Sequence, residues 1–194
     1  SIIKHFVEDL SYVSEYQHMS RSKIGESVQG DEINGDKLTV KLVPSLLNSI
    51  HNAPCDRDGV SLKEIEVIKD SIALTRHGDF RFGYYLGEEN PTGNFANMKV
   101  NCGNTTEEEL KKEPYIECLK FSGMQMDSFS GFFGGEVRLG IYFDGQNTYP
   151  VTGFSISGNI FEKRGVLTLS KEQISSSIGY EGPKYIFVPQ MDIA

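Results

Sequence analysis

The feature that most constrains this chain is the way glycine divides its second half. Eleven of the 20 glycines fall between residues 123 and 182. They separate β-type runs, many alternating apolar and polar residues, at roughly 115–122, 135–143, 147–158 and 184–193. Alternation with a period of two belongs to strands with one covered face, and glycine supplies the positive φ of tight turns. Such a segment does not suit a helical bundle. It predicts a strand-rich, mostly antiparallel arrangement.

The first half adds helices and further strands. Ile2, Ile3, Phe6, Leu10 and Val13 recur at helical spacing, so the first stretch is expected to be an amphipathic helix. Residues 38–43 alternate and predict a strand ending at Pro44. Residues 63–69 and 72–76 predict a hairpin turning at Asp70-Ser71. His51 to Gly59 reads as a loop that reverses at Asp56-Arg57-Asp58-Gly59. Gly87 to Gly93 cannot be regular structure, and Met98 to Asn101 is a short strand. Thr106-Glu107-Glu108-Glu109 is a capping box that starts a short helix, and Ser170-Lys171-Glu172-Gln173 is a second one before Ile174. The expected class is α+β, with a large, mostly antiparallel sheet or partial β-barrel capped by a few helices. No shift in composition marks a boundary, so residues 1–194 are expected to form one domain.

Charge narrows the partners. The chain carries 27 acidic and 19 basic residues, a net charge of −8. Residues 1–100 hold 11 basic and 15 acidic residues and the rest hold 8 and 12, so each half stands at −4. Backbone binding to nucleic acid needs clustered Lys and Arg, which disfavours that partner. No run approaches the ~18 apolar residues of a membrane span, so no membrane partner is expected either. Cys55, Cys102 and Cys118 are an odd, sparse set and not a disulfide framework. They read as reduced thiols, which points to the cytoplasm.

The candidate chemistry is thin. A zinc-protease helix needs two His four or five residues apart. His5 and His18 lack that spacing and read as partly exposed helix residues. His51, Cys55, Asp56 and Asp58 are metal-capable, but Pro54 stands where a further ligand would belong, and a turn is the simpler reading. No cofactor is expected, and no metal ligand or catalytic residue is assigned from these patterns. Cys55 with His51 is the alternative, as a nucleophile and its base. Gly131-Phe132-Phe133-Gly134-Gly135 lacks the Lys and the strand-to-helix setting of a phosphate loop and reads as a turn. An open sheet edge would instead take an extended peptide through main-chain hydrogen bonds. Gly123, Asp127, Gly131, Gly134 and Gly135 are the expected peptide contacts.

One segment is more specific. Tyr149-Pro150-Val151-Thr152-Gly153-Phe154-Ser155-Ile156-Ser157-Gly158-Asn159 resembles the Tyr/Lys-Pro-Val-x-x-x-Thr/Ile-x-x-Gly-Asn segment of the TldD/PmbA family. Ser20 to Val28 is similar to the family's Ser-Phe-Leu-x-x-x-Leu-Gly-x-x-Val, and Asp56 to Val60 to its Asp-x-x-Gly-Val turn. Thr92-Gly93-Asn94 and Met98 to Gly103 follow in the family's order. Pro189-Gln190-Met191-Asp192-Ile193-Ala194 is similar to its last strand. The resemblance runs over nearly the whole chain and implies the C-terminal half of a longer family member, with the family's N-terminal domain absent from this chain.

That resemblance implies cytosolic metallopeptidases and their partner subunits. TldD-type chains carry a His-Glu-x-x-x-His helix and a late Cys in a glycine-rich loop, and act in peptide maturation and protein turnover. PmbA-type chains, also called TldE, lack the metal set and pair with the TldD type. Relatives also carry the label of DNA gyrase modulators. Aligned on Gly25 to Val28, the two metal His would fall near Ser1 and Phe6 and the glutamate at Ile2. The late ligand loop corresponds to Ser175 to Gly182, which has no Cys. The resemblance therefore implies the PmbA type: a non-catalytic partner subunit, working with a TldD-type chain or as a homodimer on a peptide substrate.

Overall fold

The computed structural model describes residues 2–127 and 130–194. The chain opens with helices α1 (Ile2–Asp9) and α2 (Tyr12–Tyr16). Strands β1 (Val40–Val43), β2 (Ile65–Lys69) and β3 (Ile72–Ala73) follow, then α3 (Phe80–Leu86), β4 (Asn97–Val100) and α4 (Glu107–Leu110). Two long strands come next, β5 (Tyr115–Met126) and β6 (Phe132–Phe143), then β7 (Thr148–Val151) and β8 (Phe154–Asn159). Helix α5 (Ile160–Lys163) leads to β9 (Thr168–Leu169), β10 (Gln173–Ser176), β11 (Tyr180–Pro183), β12 (Ile186–Phe187) and β13 (Asp192–Ile193).

The strands form two main sheets, neither closed into a barrel. One runs β10-β11-β4-β1-β2-β3, antiparallel throughout except for the parallel pair of β4 and β11. The other runs β13-β8-β6-β5, with β7 also on β6. Strand β6 is long enough for two partners on one side. Phe132 to Val137 pairs with β8, and Gly140 to Phe143 pairs with β7. A two-stranded pair, β9 with β12, completes the α+β architecture.

The core lies where α1 meets the six-stranded sheet. Ile3, Phe6, Val7 and Leu10 pack with Leu38, Val40, Val67, Ile68, Leu167 and Leu169. Each fully buried side chain of this size contributes roughly 1.5–3 kcal/mol before entropy is counted. Phe133 of β6 and Ile160 of α5 enter the same cluster and tie the second sheet to it. A large polar side chain inside is Gln29, 1% exposed. Its amide donates to the carbonyls of Asp36 and Arg164 and accepts from the Leu38 N–H and the Ser71 hydroxyl. Every polar atom of the amide is engaged, so its burial costs little.

Local chemistry explains several elements. Asp70 and Ser71 both have positive φ, +48° and +75°, the requirement of a tight two-residue hairpin. Neither is glycine. Their backbone N–H groups are held by the Thr39 hydroxyl and the Leu38 carbonyl, which offsets the strain. Thr106 and Glu109 form both halves of the predicted capping box on α4.

Other expectations yield to long-range partners. The first helix breaks at Leu10, because Ser11 is extended, bridges His77 and caps α2. The second capping box starts no helix. The Ser170 hydroxyl donates to the Glu172 carbonyl, the Glu172 carboxylate accepts the Glu107 N–H at the start of α4, and Gln173 begins β10. Residues 147–158 split into two strands at Gly153, where φ is +73°. Residues 184–193 yield two pieces of two residues each. Of the run Gly131 to Gly135, only Gly131 lies in a turn, and the rest belongs to β6. Helix α3 was not foreseen: Asp79 caps its start through the Phe82 N–H, and Gly87 ends it at φ +79°. His5 is also not partly exposed: it is 5% exposed, on the inner face of α1. His18 is exposed and lies beyond α2.

Candidate functional site

The expected peptide contacts cluster around one end of the second sheet. Strand β5 is the terminal strand of that sheet, and none of its residues is buried. Its pairing to β6 slips between Cys118 and Gly123, so the strand twists away locally. Gly123 lies in this stretch, and a Cβ there would meet open space. Gly134 and Gly135 lie one strand inward and are paired on both sides, to β5 and to β8. Their role in the structure is close approach, since a Cβ on Gly135 would stand 2.6 Å from the Gly123 carbonyl oxygen. Asp127 and Gly131 shape the connection to β6. The Gly131 N–H donates to the Asp127 carbonyl, and the Ser130 hydroxyl donates to the Asp127 carboxylate. The five residues therefore divide into one on an open edge, two on a central strand and two at a turn.

The positions that correspond to a metal helix are filled by core residues. Ile2 and Phe6 are 8% and 3% exposed and sit in the main apolar cluster. Ser1 lies outside the described residues. The stretch Ser175 to Gly182 spans the β10–β11 turn, with the exposed Ile178 near its tip. Glu181 in that stretch pairs with Lys99 and the Tyr180 hydroxyl donates to the Pro183 carbonyl, and the apolar side chains and serine hydroxyls that remain do not make a zinc donor set, so these residues do not fit the metal. Among the described residues, no group of three or more His, Cys, Asp or Glu side chains is placed to hold a metal ion. His5 and His77 are both held below the usual histidine value by burial. His77 engages the Val7 carbonyl through Nε2, while its buried Nδ1 has no hydrogen-bond partner.

The loop at 51–59 is a structural turn around Asp56. One carboxylate oxygen accepts the N–H groups of Asp58 and Val60, and the other accepts that of Asn94. His51 and Cys55 are exposed on this loop. A cleft of about 500 Å³ opens beside them, lined by residues that include Pro44, Ala53, Pro54 and Leu62, and neither His51 nor Cys55 lines it.

A charged network was missed in the sequence. Glu107 accepts from Lys111, Lys184 and the Tyr185 hydroxyl, which hold its carboxyl down to about 2. Burial works against the charge of Lys111, yet its bonds to Glu107, Tyr185 and Glu117 push its ammonium above the usual lysine range. Four segments meet here: α4, β5, the β9–β10 link through Glu172, and the link before β12. The two capping-box patterns, at Thr106 and at Ser170, were its traces in the sequence.

Comparison with known proteins places this geometry. A model of the PmbA/TldA metallopeptidase C-terminal domain matches residues 2–194. No curated protein sequence matches. The fold is similar to that of a candidate modulator of a DNA gyrase from Thermotoga maritima, at TM-score 0.78 and 22% identity. All of this chain and 46% of that one are covered. A second candidate gyrase modulator, from Bacteroides thetaiotaomicron, matches at TM-score 0.77 and 18% identity, over all of this chain and 44% of that one. TldE from Thermococcus kodakarensis matches at TM-score 0.70 and 16% identity, over 96% of this chain and 44% of that one. The chain thus spans less than half the length of these structures.

Proposed function

We propose that this chain, which belongs to the PmbA/TldA metallopeptidase C-terminal domain family, is the non-catalytic, TldE-like partner in a peptide-processing assembly. One observation carries the reading. Where a catalytic relative would need zinc donors, this chain places Ile2 and Phe6 inside its core. Converting either position to a ligand would put a polar group into the apolar cluster and would not by itself make a site. The chain's task is then to pair with a TldD-type chain that brings the metal, and to help hold the peptide.

The open edge of β5 is the part of the surface suited to that second task. An extended peptide adds to such an edge through main-chain hydrogen bonds, and Gly123 leaves room for its backbone. Asp127 and Gly131 stand at the end of the same strand, while Gly134 and Gly135 let β5 and β6 approach. Work in the cytoplasm accords with three free thiols.

The test is reconstitution. The purified chain is mixed with a TldD-type chain from the same genome, and complex formation, zinc content and peptide cleavage are measured. The expected result is a stable complex whose zinc resides in the partner, with cleavage only in the mixture. Stoichiometric zinc in this chain alone, with chelator-sensitive cleavage, would overturn the reading. Cleavage by this chain that thiol alkylation abolishes would favour the Cys55–His51 alternative instead.

A further inference from the structure

The open edge of β5, taken as the peptide site proposed above, also carries a means of choosing among peptides. Gly123 pairs with Glu136 of β6, and the register slips just before it. The Ser122 hydroxyl donates to the same Glu136 carboxylate at 2.6 Å. Two residues of β5 thus stand opposite one of β6, the arrangement of a bulge, which re-aims side-chain positions locally. Ser122, Gly123 and Glu136 share one face of the sheet.

Nothing among the described residues demands a glycine at 123. Its φ is not positive, and no atom lies within 4 Å of the point where a Cβ would stand. The effect of glycine here is an open notch between the outer edge of β5 and Glu136. That acid is exposed and, among the described residues, pairs with no cation. Neighbouring strands lie about 4.8 Å apart, so a residue added opposite Gly123 has its Cβ roughly 10 Å from that of Glu136. An extended Lys or Arg side chain, laid over the glycine, spans that gap to a carboxylate, whereas a shorter side chain does not.

The opposite face of the same edge is apolar. Met124 pairs with Gly135, and Met126 pairs with the buried Phe133 and packs against the core. Met124 is 39% exposed. Successive residues of an added strand alternate between the two faces, so the neighbour of a residue opposite Gly123 lies beside Met124. A flexible thioether suits an apolar side chain of variable shape. The net charge of −8 also draws a cationic chain toward the protein. We propose that Glu136, reached across Gly123, selects extended peptides that carry a basic residue next to an apolar one, with the basic residue opposite Gly123 and the apolar one beside Met124.

Fluorescence anisotropy on the 194-residue chain tests this with labelled peptides of sequence Thr-Gln-Leu-Lys-Leu-Gln-Thr and the same sequence with Gln at the centre. The Lys peptide should bind about two- to fivefold more tightly, the worth of an exposed ion pair, and its advantage should shrink at high salt. Glu136→Gln should make the two peptides equal and leave the affinity for the Gln peptide unchanged. Gly123→Val, which fills the notch, should also remove the advantage. Equal binding of both peptides by the unaltered chain overturns the role of Glu136 and leaves the edge reading standing, as does an advantage that survives Glu136→Gln. Two further Lys peptides, N-methylated on alternate amides in either phase, test the edge itself, since one phase removes the hydrogen bonds to β5 and keeps every side chain. One of the two should lose binding. If neither does, or if no peptide binds at all, the edge reading fails and the selection by Glu136 falls with it.

Discussion

Strands β1 and β6 are both central strands, yet they are held by different forces. Three of the four residues of β1 are buried, and it sits between β2 and β4 against α1. Strand β6 has 12 residues, is paired on both sides, and buries only Phe133, Val137 and Gly140. Its neighbour β5, equally long, buries none. In the first sheet, short strands are fixed by side-chain packing. In the second, long strands are fixed mainly by main-chain pairing, and their faces and one edge stay available. Strand length and burial are therefore separable. The sheet with the longest strands contributes less to the core than the sheet with the short ones.

The comparison breaks most readily at the core. Ile3→Ala or Ile68→Ala, each in the packed cluster, should cost about 2–5 kcal/mol in urea unfolding. Leu119→Ala and Leu139→Ala, in half-exposed positions of β5 and β6, should each cost less than about 1 kcal/mol. Equal losses in the two sheets would refute the distinction.

Next in size is the polar hub at Gln29, beside the first sheet. Gln29→Leu strips partners from the Leu38 N–H, the Ser71 hydroxyl and the carbonyls of Asp36 and Arg164. A loss of roughly 1–3 kcal/mol is expected, measured by thermal unfolding. A neutral outcome would mean that water replaces the amide.

Turns of the second sheet should respond by their surroundings. Gly131 and Gly153 share a positive φ, +77° and +73°, so alanine at either pays left-handed strain of roughly 1–2 kcal/mol. At Gly131 the new Cβ also collides with the Phe161 ring and stands 2.7 Å from the Asn159 amide oxygen, whereas at Gly153 it meets open space. Gly131→Ala should therefore be the more destabilising of the two, and an equal pair would show that the Phe161 ring moves aside.

The smallest effect is a pH dependence that sorts by region. Burial depresses His5 and His77, so their contribution is complete above the unfolded value of 6.5 and is lost as pH falls below it. Lys111, Lys184 and Tyr185 depress Glu107 to about 2, so its contribution is complete above 4.5 and fades as pH falls toward 2. Stability against pH should show two separate declines. His77→Gln should flatten the upper one and leave the lower one unchanged.

Much of this protein was legible in its sequence wherever structure is decided within about four residues. Thr106 and Glu109 are near enough to cap each other, so the start of α4 was fixed locally. Pro44 stops β1, and Asp70-Ser71 sets the hairpin whose partners lie on either side of it. Alternation gave the α+β class, and ordered segments gave the family. Where a distant group made the stronger hydrogen bond, local signals misled. Gln173 had the spacing of a capping box with Ser170, but it begins β10 instead, and the neighbouring Glu172 carboxylate accepts the Glu107 N–H. His5 looked half-exposed until the sheet closed over α1. The glycines of the second half predicted strands correctly, yet only the fold decided that Gly123 lies on an open edge while Gly134 and Gly135 lie between strands. The meeting of Arg21 and Arg164 on one phenylalanine ring has no local signature at all, because it depends on two elements far apart in the chain packing against each other.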